Sequence, residues 1–221
     1  MRRSHIVCAI ALAASGCAVA TKPPVVVTQP APAVPPTKSQ VWQRIARSAD
    51  TESIFQTGAA WATALAEAKA AGFGGEIASE KALLVPGAAL ARPAPTPGSY
   101  NCRLIKIGKS GRKGPAFEKF KPFFCYVEVE RELLTIVKQT GSQRPAGRLW
   151  DDDNVRRLVY LGSLALGDEN APRAYGEDVS RDMAGVLERV GPFRWRLVIP
   201  FPRGSSKLDV FELTPVAEQP E

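Results

Sequence analysis

The spacing of apolar residues divides the chain into a helical region and a strand-rich region. In residues 39–92 the apolar positions recur at helical spacing, as in Trp61, Leu65 and Ala68. The many alanines around them favour helix. A third short helix is predicted in residues 76–84, and prolines and glycines then interrupt the chain. The first half of the folded part is therefore expected to be helical.

From residue 100 onward, apolar and polar residues alternate, which is the spacing of half-buried strands. In residues 193–201, Trp195 and Leu197 fall on one face, and Arg196 falls on the other. The predicted strands cover residues 100–107, 123–138 (as one strand or two), 148–150, 157–164, 183–190, 193–201 and 208–213. This pattern predicts an α+β fold, in which N-terminal helices pack on a C-terminal antiparallel β-barrel or sandwich of about 7–8 strands.

The first residues have the pattern of a bacterial export signal. Arg2 and Arg3 precede an apolar run at residues 6–14, and small residues follow it. A run of this length is too short to cross a bilayer, which needs roughly 20 apolar residues. Residues 1–16 are therefore predicted to be a signal peptide, and the mature protein is predicted to leave the cytoplasm.

The segment Ser15-Gly16-Cys17 resembles a lipobox, in which the cysteine is acylated and becomes the new N-terminus. The alternative is cleavage after Ala18-Val19-Ala20, which would release a soluble secreted protein. Because the residue after Cys17 is not acidic, an outer-membrane location facing the periplasm is expected. The predicted organisation is a signal peptide (1–16), a lipidation site with a proline-rich linker (17–38), a helical segment (39–92) and an antiparallel β domain (93–216).

Two cysteines remain once Cys8 leaves with the signal peptide and Cys17 takes the lipid. They are Cys102 and Cys125, and a single pair in an oxidising compartment predicts a disulfide. Strand alternation agrees, because it places both side chains on the apolar face of their strands. A redox-active pair is the alternative, although the C-x-x-C spacing of such pairs is missing.

Composition excludes several classes of chemistry. The histidine of the chain, His5, lies in the predicted signal peptide, so the mature protein cannot build a Ser-His-Asp or Cys-His site. The formal charge of +7 falls to +5 when Arg2 and Arg3 leave, which permits contact with anionic surfaces without requiring it. No dense basic run points to nucleic acid. We expect no cofactor, no catalytic residue and no metal site.

A basic loop precedes the second predicted strand and contains the candidate binding residues Lys109, Arg112 and Lys113. Gly108-Lys109-Ser110 lacks the upstream glycine of a phosphate-binding loop, because Arg103 occupies that position. Ser110 and Lys113 have the S-x-x-K spacing of penicillin-interacting enzymes, but they lie among glycines rather than at a helix start. The loop is interpreted as a solvated hairpin end, with contact to an anionic surface as the alternative.

Two acidic groups complete the candidates. Asp151, Asp152 and Asp153 form a run that is either a turn or a calcium site, although the ligand spacing of an EF-hand is missing. A second acidic group lies in one long loop. Its paired carboxylates would suit glycoside hydrolysis, but a polar loop held by arginines is the favoured interpretation. Its candidate residues are Asp168, Glu169, Tyr175, Asp178 and Arg181.

Several strings resemble one exported bacterial family, known as domain of unknown function 4893. They are Pro97-Gly98-Ser99-Tyr100-Asn101-Cys102-Arg103, Gly141-Ser142-Gln143-Arg144, Gly162-Ser163-Leu164-Ala165-Leu166-Gly167-Asp168-Glu169, Tyr175-Gly176-Glu177-Asp178 and Arg194-Trp195-Arg196-Leu197-Val198. The resemblance would cover about residues 42–215. It implies no activity, only that these strings belong to one architectural unit.

The sequence favours an envelope lipoprotein whose non-catalytic β-rich domain binds an envelope component. Its expected partners are the membrane, through the N-terminal lipid, and an envelope polymer or protein. Two alternatives stay open: a periplasmic inhibitor of a protease or lysozyme that uses the basic loop, and a carboxylate-based glycan hydrolase that uses the acidic loops.

Overall fold

A computed structural model gives the fold of the chain. It describes residues 35–111, 114–167, 169–171 and 173–217. The predicted signal peptide, the lipidation site at Cys17 and residues 18–34 of the linker lie outside the described residues, as do Arg112, Lys113 and Asp168. From Pro35 onward the chain forms one compact unit.

Helices come first in this unit, as the apolar spacing predicts. They are α1 (Lys38–Gln43), α2 (Ser48–Phe55), α3 (Thr57–Ala70), α4 (Gly74–Ser79) and a 3-10 helix (Lys81–Leu84). Helix α1 begins with a capping box, in which Thr37 and Gln40 each bond the backbone N–H of the other. The predicted stripe of Trp61, Leu65 and Ala68 is the buried face of α3.

The strands follow and close into a barrel. They are β1 (Gly98–Ile107), β2 (Phe117–Lys119), β3 (Phe123–Glu130), β4 (Leu133–Lys138), β5 (Gln143–Asp151), β6 (Arg157–Leu166), β7 (Asp182–Gly191), β8 (Arg194–Pro200) and β9 (Leu208–Pro215). From β3 to β9 each strand pairs antiparallel with the next, and β9 returns to pair with β1 from Tyr100–Pro215 to Ile107–Leu208. The result is a closed barrel of eight antiparallel strands with β2 as an additional strand, which decides between the predicted barrel and sandwich.

The additional strand β2 shares an edge of β1 with β3. The first half of β1 pairs with β3, and residues Ile105 to Ile107 pair with β2. The backbone N–H of Phe120, between β2 and β3, still bonds the carbonyl of Leu104 at 2.9 Å. Together β2 and β3 therefore cover one edge of β1.

Alternation along the strands builds two apolar cores. One fills the barrel interior and contains Tyr100, Tyr160 and Trp195. The other lies between the outer barrel wall and the helices and contains Trp42, Trp61 and other buried residues of α1 to α4. Because each strand sends alternate side chains to opposite faces, one sequence pattern supplies both cores.

A buried arginine attaches the 3-10 helix to the barrel wall. Arg196 of β8 is 0% exposed and lies over the ring of Trp61, 4.8 Å from its centroid. Its guanidinium donates to the carbonyls of Leu83 at 2.8 Å and Val85 at 2.9 Å, and to Glu188 at 2.7 Å. These bonds satisfy carbonyls that the end of a short helix leaves unpaired.

The predicted disulfide joins Cys102 of β1 to Cys125 of β3, with a Cα–Cα distance of 6.0 Å. In the strand register, Cys102 lies opposite Phe123 and Cys125 lies opposite Tyr100, so the bond crosses the strand pair diagonally. Both cysteines are buried in the interior core, as their strand phase predicts.

Strand β5 is longer than the predicted strand of residues 148–150. Pro145 and Gly147 look like strand breakers, yet both lie inside β5. Gly147 lies opposite Gly162 of β6, and a Cβ atom at either position would overlap the neighbouring backbone or the Tyr160 side chain. The glycine pair therefore makes room for a large interior aromatic residue.

Candidate functional site

The two ends of the barrel differ in their connections. The first, the hairpin end, carries the short turns β3–β4, β5–β6 and β7–β8 and the start of β1. The second, the loop end, carries the longer segments 108–116, 167–181 and 201–207 and the β4–β5 turn. The candidate residues divide between these two ends.

The barrel interior is filled rather than hollow. Its cavity measures about 20 Å³, enough for about one water molecule. At the hairpin end, Pro95 is buried, the Trp195 indole donates to the Pro93 carbonyl at 3.0 Å, and the Tyr100 hydroxyl donates to the Thr96 carbonyl at 2.6 Å. At the loop end, Lys106 pairs with buried Asp209 at 3.4 Å. A ligand therefore has no room inside the barrel.

A groove of about 740 Å³ lies at the hairpin end, and we call it the rim groove. This volume falls within the range of small-molecule sites. Its apolar wall comes from Val41, Ala94, Leu133, Leu134, Leu149, Trp150 and Leu158, and its charged wall comes from Lys38, Glu130, Arg131, Glu132, Arg148 and Asp151. The groove thus combines an apolar surface with three acidic and three basic groups.

Two ion pairs order the charged wall of the rim groove. Lys38 of α1 lies 3.0 Å from the Asp151 carboxylate, and Arg148 lies 2.6 Å from the Glu130 carboxylate. The hydrogen bond from Arg148 holds the pKa of Glu130 below its usual value. Four of the six charged groups of the wall are thus paired within the protein, and the wall carries equal numbers of acidic and basic groups.

The acidic run at residues 151–153 attaches α1 to the barrel. The Asp152 carboxylate accepts hydrogen bonds from Ser39 at 2.5 Å, the Trp42 indole at 3.0 Å and Arg157 at 2.5 Å. Asp153 accepts from the backbone N–H of Lys38 at 3.1 Å. Burial opposes ionisation of Asp152, but the bonds from Ser39, Arg157 and Trp42 outweigh it and lower its pKa. These bonds position the α1 side of the rim groove.

At the loop end, Tyr175 connects the long loop to α2. Its hydroxyl donates to the Asp50 carboxylate at 2.5 Å and accepts from the backbone N–H of Arg47 at 3.1 Å. The Arg47 guanidinium bonds Asp50 at 2.8 Å and lies 3.5 Å from buried Asp182. Burial, together with the bond to Asp50, raises the pKa of Tyr175 to about 12. Tyr175 is thus a structural contact between loop and helix.

The other described residues of this loop are held by arginines. Arg181 pairs with Glu169 and lies 3.5 Å from Asp178, and Arg173 lies 3.7 Å from Asp178. The bond from Arg181 lowers the pKa of Glu169, and bonds from Ser180 lower the pKa of Asp178. A glycosidase general acid needs a raised pKa, whereas the pKa values of Glu169 and Asp178 are both lowered.

Of the three basic-loop candidates, Lys109 lies in the described part of the chain. Residues near Lys109 bond other segments. The backbone N–H of Ser110 donates to the Ser205 carbonyl at 2.8 Å, and Lys207 donates to the Glu67 carboxylate of α3 at 2.5 Å. The inhibitor hypothesis depends on this loop. Because Arg112 and Lys113 lie outside the described residues, that hypothesis stays a prediction.

Sequence reasoning missed the residues of the rim groove. The groove brings together Val41 of α1, Ala94 of the segment before β1 and Trp150 of β5, which are far apart in the chain. One signal was present in the sequence: Val155 is an apolar residue within a predicted turn, where small or polar residues are usual. Phe193, which was assigned to the strand of residues 193–201, lies instead in the exposed β7–β8 turn. An apolar residue within a turn was therefore the sequence signal for the hairpin end.

The sequence profile described as Domain of unknown function (DUF4893) matches residues 42–213. The chain belongs to this family. The match begins at Trp42 in α1 and ends at Leu213 in β9, so the DUF4893 domain comprises helices and barrel together. No curated protein and no solved structure is detectably similar to the chain.

Two further observations concern the part of the DUF4893 domain that the structure describes. Within these residues, no three His, Cys, Asp or Glu side chains come together in a group that could hold a metal ion. None of the described helices is long and apolar enough to cross a membrane.

Proposed function

We propose that this protein is an exported bacterial lipoprotein that binds an envelope amphiphile, meaning a molecule with an apolar chain and a small polar head, in the rim groove. The observation that carries the proposal is the groove itself, about 740 Å³ of partly apolar space on a domain whose barrel interior is filled. The role is binding rather than catalysis.

The N-terminal sequence supports attachment to a membrane. Cys17 ends a lipobox-like segment, and an acylated cysteine would anchor the protein with its domain on the periplasmic side. Cys17 precedes Lys38 by 21 residues, so the chain between them spans at most about 75 Å. The anchor would therefore keep the groove close to a membrane, with the outer membrane favoured.

The walls of the groove support an amphiphilic ligand. Leu133, Leu134 and Trp150 offer apolar surface for a chain, and burying such surface contributes roughly 25 cal/mol per Å². The paired charges Lys38–Asp151 and Arg148–Glu130 suit a head that is neutral or carries both charges. A strongly anionic polymer would gain little at this wall, because three carboxylates offset its three basic groups.

The experiment measures fluorescence of the apolar probe N-phenyl-1-naphthylamine on mature chain (residues 17–221, Cys17→Ser). We expect saturable binding that lysophosphatidylethanolamine displaces. Ala94→Trp places an indole in the groove from an exposed position and should weaken binding at least about tenfold, or about 1.4 kcal/mol. Ala91→Trp, in the same segment but outside the groove lining, is the matched control and should bind like the wild type.

Two results would refute the proposal. One is the lack of saturable probe binding to the folded wild-type chain. The other is equal binding by the Ala94→Trp and Ala91→Trp chains, because the probe would then occupy some surface other than the rim groove.

A further inference from the structure

Three exposed apolar side chains mark the hairpin end. Phe193 is 74% exposed, Val155 is 70% exposed and Val129 is 62% exposed, and they are the three most exposed large apolar side chains in the described part of the chain. Single exposed apolar residues are ordinary on protein surfaces. Here the three largest exposures fall on one end of one barrel, so they form a set, which we call the apolar tips.

Two of the three tips lie in turns between strands, and Val129 lies one residue before the end of β3. Val155 lies in the β5–β6 turn, where the Asn154 side chain accepts from the Arg156 N–H at 3.0 Å, and Phe193 lies in the tight β7–β8 turn. Arg194, next to Phe193, bonds Glu212 at 2.5 Å and so secures the base of that turn. Short, hydrogen-bonded turns hold these tips in place at low entropic cost.

We infer that the hairpin end is a membrane-contact face, whose apolar tips Val129, Val155 and Phe193 enter the lipid bilayer and bring the rim groove to its surface. The occupant of this face is the bilayer that holds the lipid anchor. The chain enters the domain here, since Lys38 at the start of α1 pairs with Asp151. This inference rests on the proposed function for the anchor and for the ligand, which would pass into the groove from the membrane.

The charges around the tips indicate how the face binds. Arg131 and Arg156 flank tips, but Glu130, Glu132 and Asp153 lie on the same turns. Because the basic groups do not outnumber the acidic groups on these turns, contact depends on apolar insertion rather than on attraction to anionic lipid. Zwitterionic vesicles should therefore suffice, and salt at 0.5 M should not release the protein.

A local probe of polarity tests this inference. In mature chain with Cys17→Ser, where Cys102 and Cys125 are joined, Phe193→Cys supplies a single thiol for the fluorophore NBD. With phosphatidylcholine–phosphatidylethanolamine vesicles we expect a several-fold rise in emission, a shift to shorter wavelength and quenching by nitroxide-labelled acyl chains. Val179→Cys is the matched control, because Val179 is 52% exposed and lies in the segment 167–181 at the loop end, so its probe should not respond.

The outcomes separate this inference from the proposed function. Unchanged emission at position 193 with vesicles, or an equal response at position 179, overturns the membrane-contact face even if the groove binds its amphiphile. A second outcome is insertion at position 193 that persists in the Ala94→Trp chain, while the groove binds no ligand. It would support the membrane-contact face and refute the proposed amphiphile. Dependence of insertion on anionic lipid, with release by salt, also overturns the inference, because it would make the contact electrostatic.

Discussion

The two ends of the barrel use their charged and apolar residues in opposite ways. At the loop end, long segments rich in charge are bound internally: Tyr175 to Asp50, Glu169 to Arg181, and Lys207 to Glu67. At the hairpin end, short turns leave Val155 and Phe193 exposed beside a groove. A charged loop can therefore be a structural contact, whereas a short turn of ordinary sequence can border a groove.

The same contrast applies to the acidic run within the hairpin end. Asp151 lies at the rim groove and pairs with Lys38, whereas Asp152, its neighbour, is buried and receives three hydrogen bonds. Strand alternation turns adjacent side chains in opposite directions, so one residue of the run shapes the groove surface and the next holds α1 in place.

The largest effect should come from Asp152→Ala. This change leaves Arg157 without its carboxylate and frees α1, so we expect the free energy of unfolding to fall by about 3–5 kcal/mol. Because α1 carries Lys38 and Val41, the groove should also lose affinity for its probe. Urea unfolding and probe titration measure the two effects, and wild-type stability in the variant would contradict the role of Asp152.

The pH dependence of stability sharpens this prediction. The pKa of Asp152 is lower in the folded chain than in the unfolded chain, so its contribution is fully present above the ordinary value of about 3.9. The contribution is lost as pH falls through the lowered, folded-state pKa. The stability difference between wild type and Asp152→Asn should therefore shrink below about pH 4. A constant difference at all pH values would exclude an ionised Asp152.

The next largest effect should come from removing the disulfide between β1 and β3. Replacing Cys102 and Cys125 by serine removes a cross-link between residues 23 apart and should lower the free energy of unfolding by about 3 kcal/mol. Cys102→Ser alone should leave Cys125 reactive with a thiol reagent in the unfolded chain. Two free thiols in the purified wild type would contradict the disulfide.

At the loop end, Tyr175→Phe should have a smaller effect. The variant loses the bond to Asp50 and leaves a partly buried carboxylate with fewer donors, at a cost of about 1–2 kcal/mol. Probe affinity of the rim groove should not change, because Tyr175 lies at the opposite end. A drop in groove affinity without unfolding would show instead that the two ends are coupled.

The smallest effect should come from Arg181→Gln. Arg181 is partly exposed and bonds Glu169 at the surface, and such pairs contribute about 0–1 kcal/mol. The melting temperature should change by only a few degrees. Hydrolysis of cell-wall glycan by the wild type that disappears in this variant would instead place chemistry at the loop end.

Local sequence patterns predicted much of the architecture. The α3 stripe, the antiparallel strands and the disulfide follow from spacing over a few residues, and the structure confirms them. Barrel closure did not follow, because the β1–β9 pairing joins residues more than 100 positions apart. Strand β5 was underestimated, because Gly147 is accommodated through its tertiary position opposite Gly162 and beside Tyr160, and Pro145 lies beyond the β4–β5 ladder.

The candidate site was harder to predict because it is assembled from distant segments. Glu169, Asp178 and Arg181 were predicted as candidates because they are charged. Their pairing with one another depends on tertiary structure. Arg196 shows the same limit: its alternation predicted a face opposite Trp195, but its burial depends on α3 and the 3-10 helix above it. No local pattern reports which polar residue a helix will cover.

An NMR titration of the leucine and valine methyl groups with lysophosphatidylethanolamine shows directly where an amphiphile binds. We expect shifts at the hairpin end, for Leu133, Leu134 and Val41, and none at the loop end, for Leu166 and Val179. Shifts confined to the loop end, or no shifts at saturating lipid, would contradict the rim groove as the binding site.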